Sequence, residues 1–124
     1  MKTTIKYCDE SAEYFFHEGC YITELSNSAD DPAVSIARAR VEPGKTTRWH
    51  YLADTVERYV IISGSGLVEI GDEPPREVRA HDVVIITEFC RQRITNNCGD
   101  QLIFLAICSP RFVPENYRDM DVQD

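Results

Sequence analysis

The sequence predicts an all-β fold, a barrel or sandwich, with a short helix near its N-terminus. Two observations predict it. Short runs rich in Val, Ile, Thr and Tyr follow one another along most of the chain, separated by turn-forming clusters. Only one segment carries a helical pattern, so strands must supply the core.

That segment is "DESAEYFF", Asp9 to Phe16, with Asp9 or Ser11 as N-cap and Gly19 as the stop. Nine strands are expected after it. They cover Cys20–Leu25, Val34–Val41, Thr46–Leu52, Glu57–Ser63, Leu67–Ile70, Arg76–Arg79, Val83–Thr87, Gln92–Thr95 and Leu102–Cys108. The punctuation between them includes Asp30-Asp31-Pro32, Glu42-Pro43-Gly44, Ser63-Gly64-Ser65-Gly66 and Asn96-Asn97-Cys98-Gly99. Short strands at this regular spacing indicate a sandwich or a barrel. A chain of 124 residues suits one domain. Its barrel core would span about 20–110, with 1–19 and 110–124 peripheral and the last segment lying across the surface.

Composition narrows the partners. Lys and Arg number 13 against 21 Asp and Glu, a net charge of -8, which disfavours nucleic acid and anionic membrane. No apolar run approaches the length that crosses a bilayer, and residues 1–6 lack a leader's apolar stretch, so cytoplasm is the expected location. Five cysteines, an odd number with no C-x-x-C pair, argue against a disulfide framework. Cys20 and Cys108, inside apolar strands, are expected to be buried and reduced.

Strand faces carry the functional signal. In "AVSIARARV", Ser35, Ala37, Ala39 and Val41 share one face. If that face points inward, a barrel has room for a ligand; otherwise it merely accommodates bulky neighbours. "YVIIS", "DVVIIT" and "LIFLAIC" are apolar on both faces, so either the N-terminal segment or a second subunit must cover one of them. A homodimer is the expectation.

The stretch "GKTTRWHYLADTVERYVIISG" places His50 six residues after Gly44, then Glu57, then Gly64. It resembles the first motif of the cupin family: G, five residues, H-x-H, three or four residues, E, six residues, G. "HDVVIITEFCRQRITN", from His81 to Asn96, resembles the second. The resemblance implies a double-stranded β-helix, or jelly-roll barrel, often dimeric. It also implies a metal site whose usual ligands fall on His50, Leu52, Glu57 and Gln92, so two of the four have changed. His81 and Phe89 stand where the second motif has glycine, and Thr87 where it has proline.

Alternation brings Arg48, His50, Glu57, Tyr59 and Gln92 into one inward cluster. Three readings follow. His50, Glu57 and Gln92 could hold a divalent Zn, Mn, Fe or Ni ion, since a mixed N/O set suits these metals. A metal-free site could use His50 and Glu57 as an acid–base pair, with Tyr59 as proton donor and Arg48 binding a substrate carboxylate. Or His50, Glu57 and Gln92 simply satisfy one another inside the barrel. The expected function is binding, and transformation, of a small polar or carboxylate-bearing metabolite by an isomerase, cyclase, lyase or metal-dependent dioxygenase. A non-catalytic ligand sensor is the competing class.

Overall fold

A computed structural model describes residues 1–121; residues 122–124 of the expected C-terminal tail lie outside the described residues. Eleven strands form two antiparallel sheets. In chain order they are β1 (Tyr14–Phe16), β2 (Cys20–Ser26), β3 (Ser35–Val41), β4 (His50–Leu52), β5 (Val56–Ser63), β6 (Ser65–Ile70), β7 (Arg76–Arg79), β8 (Val83–Ile86), β9 (Gln92–Thr95), β10 (Leu102–Ser109) and β11 (Tyr117–Asp119). The larger sheet runs β1-β2-β3-β10-β5-β8 and the smaller β11-β4-β9-β6-β7. All nine expected strands are present, two with the expected limits and the others within four residues at their ends.

The helix is a correction. Only Glu10–Ala12 turn, as a single 3-10 turn capped by the Asp9 side chain. Glu13 is already extended, and Tyr14–Phe16 pair with β2. The reason is tertiary. Glu13 reaches Arg40 at 2.7 Å, and Phe15 packs edge-on against Tyr21. A short helix cannot compete, because nucleation fixes several dihedrals before any bond rewards it. The C-terminal segment also does more than cross the surface. Its strand β11 pairs with β4, Asp119 opposite His50 and Tyr117 opposite Leu52.

The small-residue face of β3 points inward. Register builds two rows across the larger sheet: Tyr59–Ala106–Ala37–Glu24 and Ile61–Phe104–Ala39–Ile22. Ala37 and Ala106 stand beside Tyr59, so the sheet's inner face is hollow there. Elsewhere the interior is filled by Val41, Ile61, Ile86, Ile94 and Leu102, all at most 1% exposed. Gly64, which closes the first motif, has φ +81 and lies so close to Gln101 that a Cβ would meet its carbonyl oxygen at 2.6 Å. Only glycine fits that turn. No helix among the described residues is long and apolar enough to cross a membrane.

Candidate functional site

A cavity of about 60 Å³ opens over the hollow part of the larger sheet. Ser35, Ala37 and Ala39 of β3, Cys108 of β10, and Glu57 and Tyr59 of β5 line it from adjacent strands of that sheet. Glu18, in the turn between β1 and β2, and Glu24 on β2 complete its polar lining, with Tyr14, Phe16 and Phe112 among its aromatic residues. His50 and Gln92 are paired across β4 and β9 and lie behind this lining, at 1% and 0% exposure.

Each is reached through a lining residue. His50 Nε2 faces Glu18 Oε1 at 3.1 Å. The Tyr59 hydroxyl donates to the Gln92 amide oxygen. On the other side of the imidazole, Nδ1 lies 2.8 Å from the Arg48 carbonyl oxygen. A carbonyl only accepts, so Nδ1 carries a proton. That leaves Nε2, 3.1 Å from Glu18 Oε1, as the ring nitrogen that faces a carboxylate of the lining. Tyr117 from β11 stacks on the imidazole, with centroids 4.9 Å apart and planes at 21°.

Glu57 is the second ionisable centre. Burial first, and the Glu18 carboxylate second, push its pKa up to about 7, while His50 and the Gln92 amide offset part of that rise. Its Oε2 receives the Cys108 thiol at 3.8 Å. Its Oε1 and the Gln92 Nε2 have no partner at hydrogen-bond geometry. Mutual satisfaction inside the barrel is therefore incomplete at these two atoms. A buried polar atom left open usually awaits a ligand or water.

Two buried thiols back the carboxylates. Cys20 Sγ is 3.2 Å from Glu18 Oε2, as Cys108 is placed behind Glu57. Burial pushes both thiols above the ordinary cysteine range, so they act as S–H donors. All five cysteines are free, Cys20 and Cys108 buried as expected. Burial, then the charge of Glu57, also raises the Tyr59 phenol well above its usual value, so it remains protonated.

Of the five expected site residues, His50, Glu57, Tyr59 and Gln92 converge and Arg48 does not. Arg48 faces away and holds Asp119 at 2.9 Å, also reaching the Asp121 carbonyl. Alternation fails because 46–49 is not regular strand. Thr47 is buried, with the Ile94 N–H donating to its hydroxyl at 3.0 Å, and His50 three residues later is buried too. The pairing of His50 is a second correction: its carboxylate partner is Glu18, which sequence reasoning missed. Nothing local marks Glu18, since the contact joins residues 32 apart in the chain. Arg91 and Arg93 likewise pair with Asp72 and Glu69, and flank the Trp49 ring at 4.3 and 4.4 Å.

The residues present do not fit the metal that the cupin motifs imply. Nδ1 of His50 is committed to a backbone carbonyl and Nε2 to Glu18, the Gln92 oxygen accepts from Tyr59, and Leu52 is a buried apolar side chain. Among the described residues no three His, Cys, Asp or Glu side chains are placed to hold a metal ion.

No protein-family model and no curated protein sequence matches the chain. Solved structures do. A histidine-to-glutamine variant of Pac13 from Streptomyces, with uridine, superposes with a TM-score of 0.80 at 17% identity, covering 99% of this chain and 95% of that one. Pac13 is described as a nucleoside dehydratase. KdgF from Halomonas sp. gives 0.74 at 15% identity, over 88% and 96% of the two chains. A predicted oxalate decarboxylase from Thermotoga maritima gives 0.67 at 23% identity, over 73% and 80%. The chain has the cupin, or double-stranded β-helix, fold.

Proposed function

We propose that this cupin is a metal-free lyase that removes water from a small hydroxylated metabolite by acid–base catalysis. The observation that carries this reading is the pair of carboxylates, Glu18 and Glu57, lining one cavity in unlike environments. Glu18 lies 3.1 Å from the His50 imidazole, while burial and the neighbouring Glu18 charge raise the pKa of Glu57 to about 7. A carboxyl that still holds its proton near neutrality beside a second carboxylate is what paired acid and base catalysis needs.

In the step we propose, the Glu18 carboxylate takes the proton from a carbon next to a carbonyl. The C–O bond to the β-hydroxyl breaks as a C=C bond forms. The Glu57 carboxyl gives its proton to the departing oxygen, which leaves as water. Proton exchange through solvent returns the proton from Glu18 to Glu57. His50 is a positioning residue that fixes Glu18, and Tyr59 holds Gln92 and remains a neutral donor. The likeness to a nucleoside dehydratase supports this reaction class. Elimination keeps the sequence-based lyase expectation and leaves the dioxygenase aside, because the donor set is not arranged for a metal. We also infer that the protein works as a homodimer, since Ile62, Val83 and Ile85 expose apolar surface on the outside of the larger sheet.

The test uses β-hydroxy carbonyl derivatives of nucleosides and sugars, followed by absorbance of the unsaturated product. Turnover is expected to survive chelator. Glu18→Gln, which removes the base, should lower it by roughly 10²-fold or more, and His50→Ala, which releases Glu18 from its position, should lower it while uridine affinity changes little. Turnover that needs added metal, or that His50→Ala leaves intact, would overturn the reading.

A further inference from the structure

We propose that the cavity selects its ligand by charge, taking uncharged or cationic hydroxylated molecules and rejecting phosphate monoesters and carboxylic acids, with Glu24 as the specificity-determining residue. This deepens the lyase reading and rests on it for the site, but it is argued from the lining alone.

Three glutamates line the cavity, Glu18, Glu24 and Glu57, and among the described lining residues there is no Lys, Arg or His. Two of the nearby arginines are engaged elsewhere. Arg40 lies on the other face of β3 and pairs with Glu13 at 2.7 Å. Arg48, the side chain expected to clamp a carboxylate, pairs with Asp119. An anion entering here would lose its water and meet no counter-charge, which is costly. The chain's net charge of -8 adds a repulsive field at the approach.

A donor-bearing ligand meets the opposite. Glu57, only 8% exposed, lines the cavity and keeps one oxygen without a protein partner. Of the three lining glutamates, Glu24 is the exposed one. Packing around its carboxyl still raises its pKa. It pairs with no cationic side chain among the described residues within 4.0 Å. Hydroxyl and ammonium groups can donate to both carboxylates, and Phe16 and Phe112, 6.5 Å apart and edge to face, offer ring surface to a flat or cationic group.

The test is a matched series on one scaffold: uridine, 5′-amino-5′-deoxyuridine and uridine 5′-monophosphate. Each is titrated at pH 7 into the wild-type protein and into Glu24→Gln, with affinity read by calorimetry and by chemical-shift changes at Glu24 and Glu57. The amine is expected to bind roughly tenfold or more tightly than uridine, and the phosphate roughly tenfold or more weakly, as charge pairs near a protein surface imply. Glu24→Gln should narrow that spread from both ends. A phosphate that binds as well as uridine, a spread untouched by Glu24→Gln, or no binding by any of the three overturns the proposal. Because the readout is binding, these failures leave the elimination chemistry standing. Conversely, the expected order with no turnover on any β-hydroxy carbonyl compound would sink the lyase reading and keep this one.

Discussion

A single backbone contact decides the chemistry of His50. With Nδ1 donating to the Arg48 carbonyl, the ring can exchange a proton only through Nε2, which faces Glu18. Glu57 feels the charge of that pair and carries a cost that can be measured. Its folded-state pKa of about 7 lies above the ordinary 4.5, so between those values the folded protein binds more protons than the unfolded chain. Stability from this group therefore falls as pH rises through that window, and the loss is complete above about pH 7. A shift of this size corresponds to about 3 kcal/mol. Glu57→Gln keeps the shape and removes the charge. It should match wild type near pH 4.5 and exceed it by a few kcal/mol at pH 8 to 9, in denaturant unfolding at each pH. Curves that stay parallel across the range would show that Glu57 does not titrate where its surroundings indicate.

At the scale of elements, the two cupin motifs keep their backbone even where they lose their residues. His81 and Phe89 replace the glycines of the second motif, yet adopt φ 77 and φ 62, the left-handed region glycine favours. Both side chains are exposed, so neither is held there by the core. Returning glycine should relieve more backbone strain than it adds to the unfolded chain's freedom. His81→Gly and Phe89→Gly are each expected to raise stability by about 0.5–1 kcal/mol, read as a shift in the denaturant midpoint without a change in slope. A loss of stability in both would show that the turns are not strained. The same motifs explain what was legible in the sequence. Strand limits follow apolar alternation and turn residues, which are local, so β3 and the residues His50, Glu57, Tyr59 and Gln92 could be placed from them. Glu18 could not, because its neighbour His50 is brought to it by sheet packing. Arg48 was misplaced for a related reason: parity holds only within regular strand, and β4 begins at His50. Tyr14–Phe16 pair with β2, and Glu13 just before them is tied to Arg40 on β3, a contact that no local pattern announces.

On the whole molecule, β8 marks a surface that a soluble monomer would be expected to guard. It is the last strand of the larger sheet, paired on one side only, with β5. Edge strands usually carry Lys, Pro or a bulge that deters pairing. Val83–Ile86 carry none, and Val83 and Ile85 are 55% and 62% exposed. Ile62 on β5, at 45%, extends the patch, and half-buried Ile103, Leu105 and Ile107 continue it along the outer face of β10. The covering by an N-terminal helix weighed from the sequence is not what the fold provides, since residues 1–12 form only a 3-10 turn and β1 joins the opposite edge of the sheet. A second copy offers the same β-branched surface and the same unpaired edge, so a two-fold contact would bury both at once. Sedimentation equilibrium is expected to give twice the mass of the chain. Ile85→Lys, which places one charge in the middle of that surface without touching the cavity, should give the monomer mass and leave uridine binding within about twofold. A wild type that sediments as a monomer at high micromolar concentration would mean that the patch stays open to water, and the dimer would have to be abandoned.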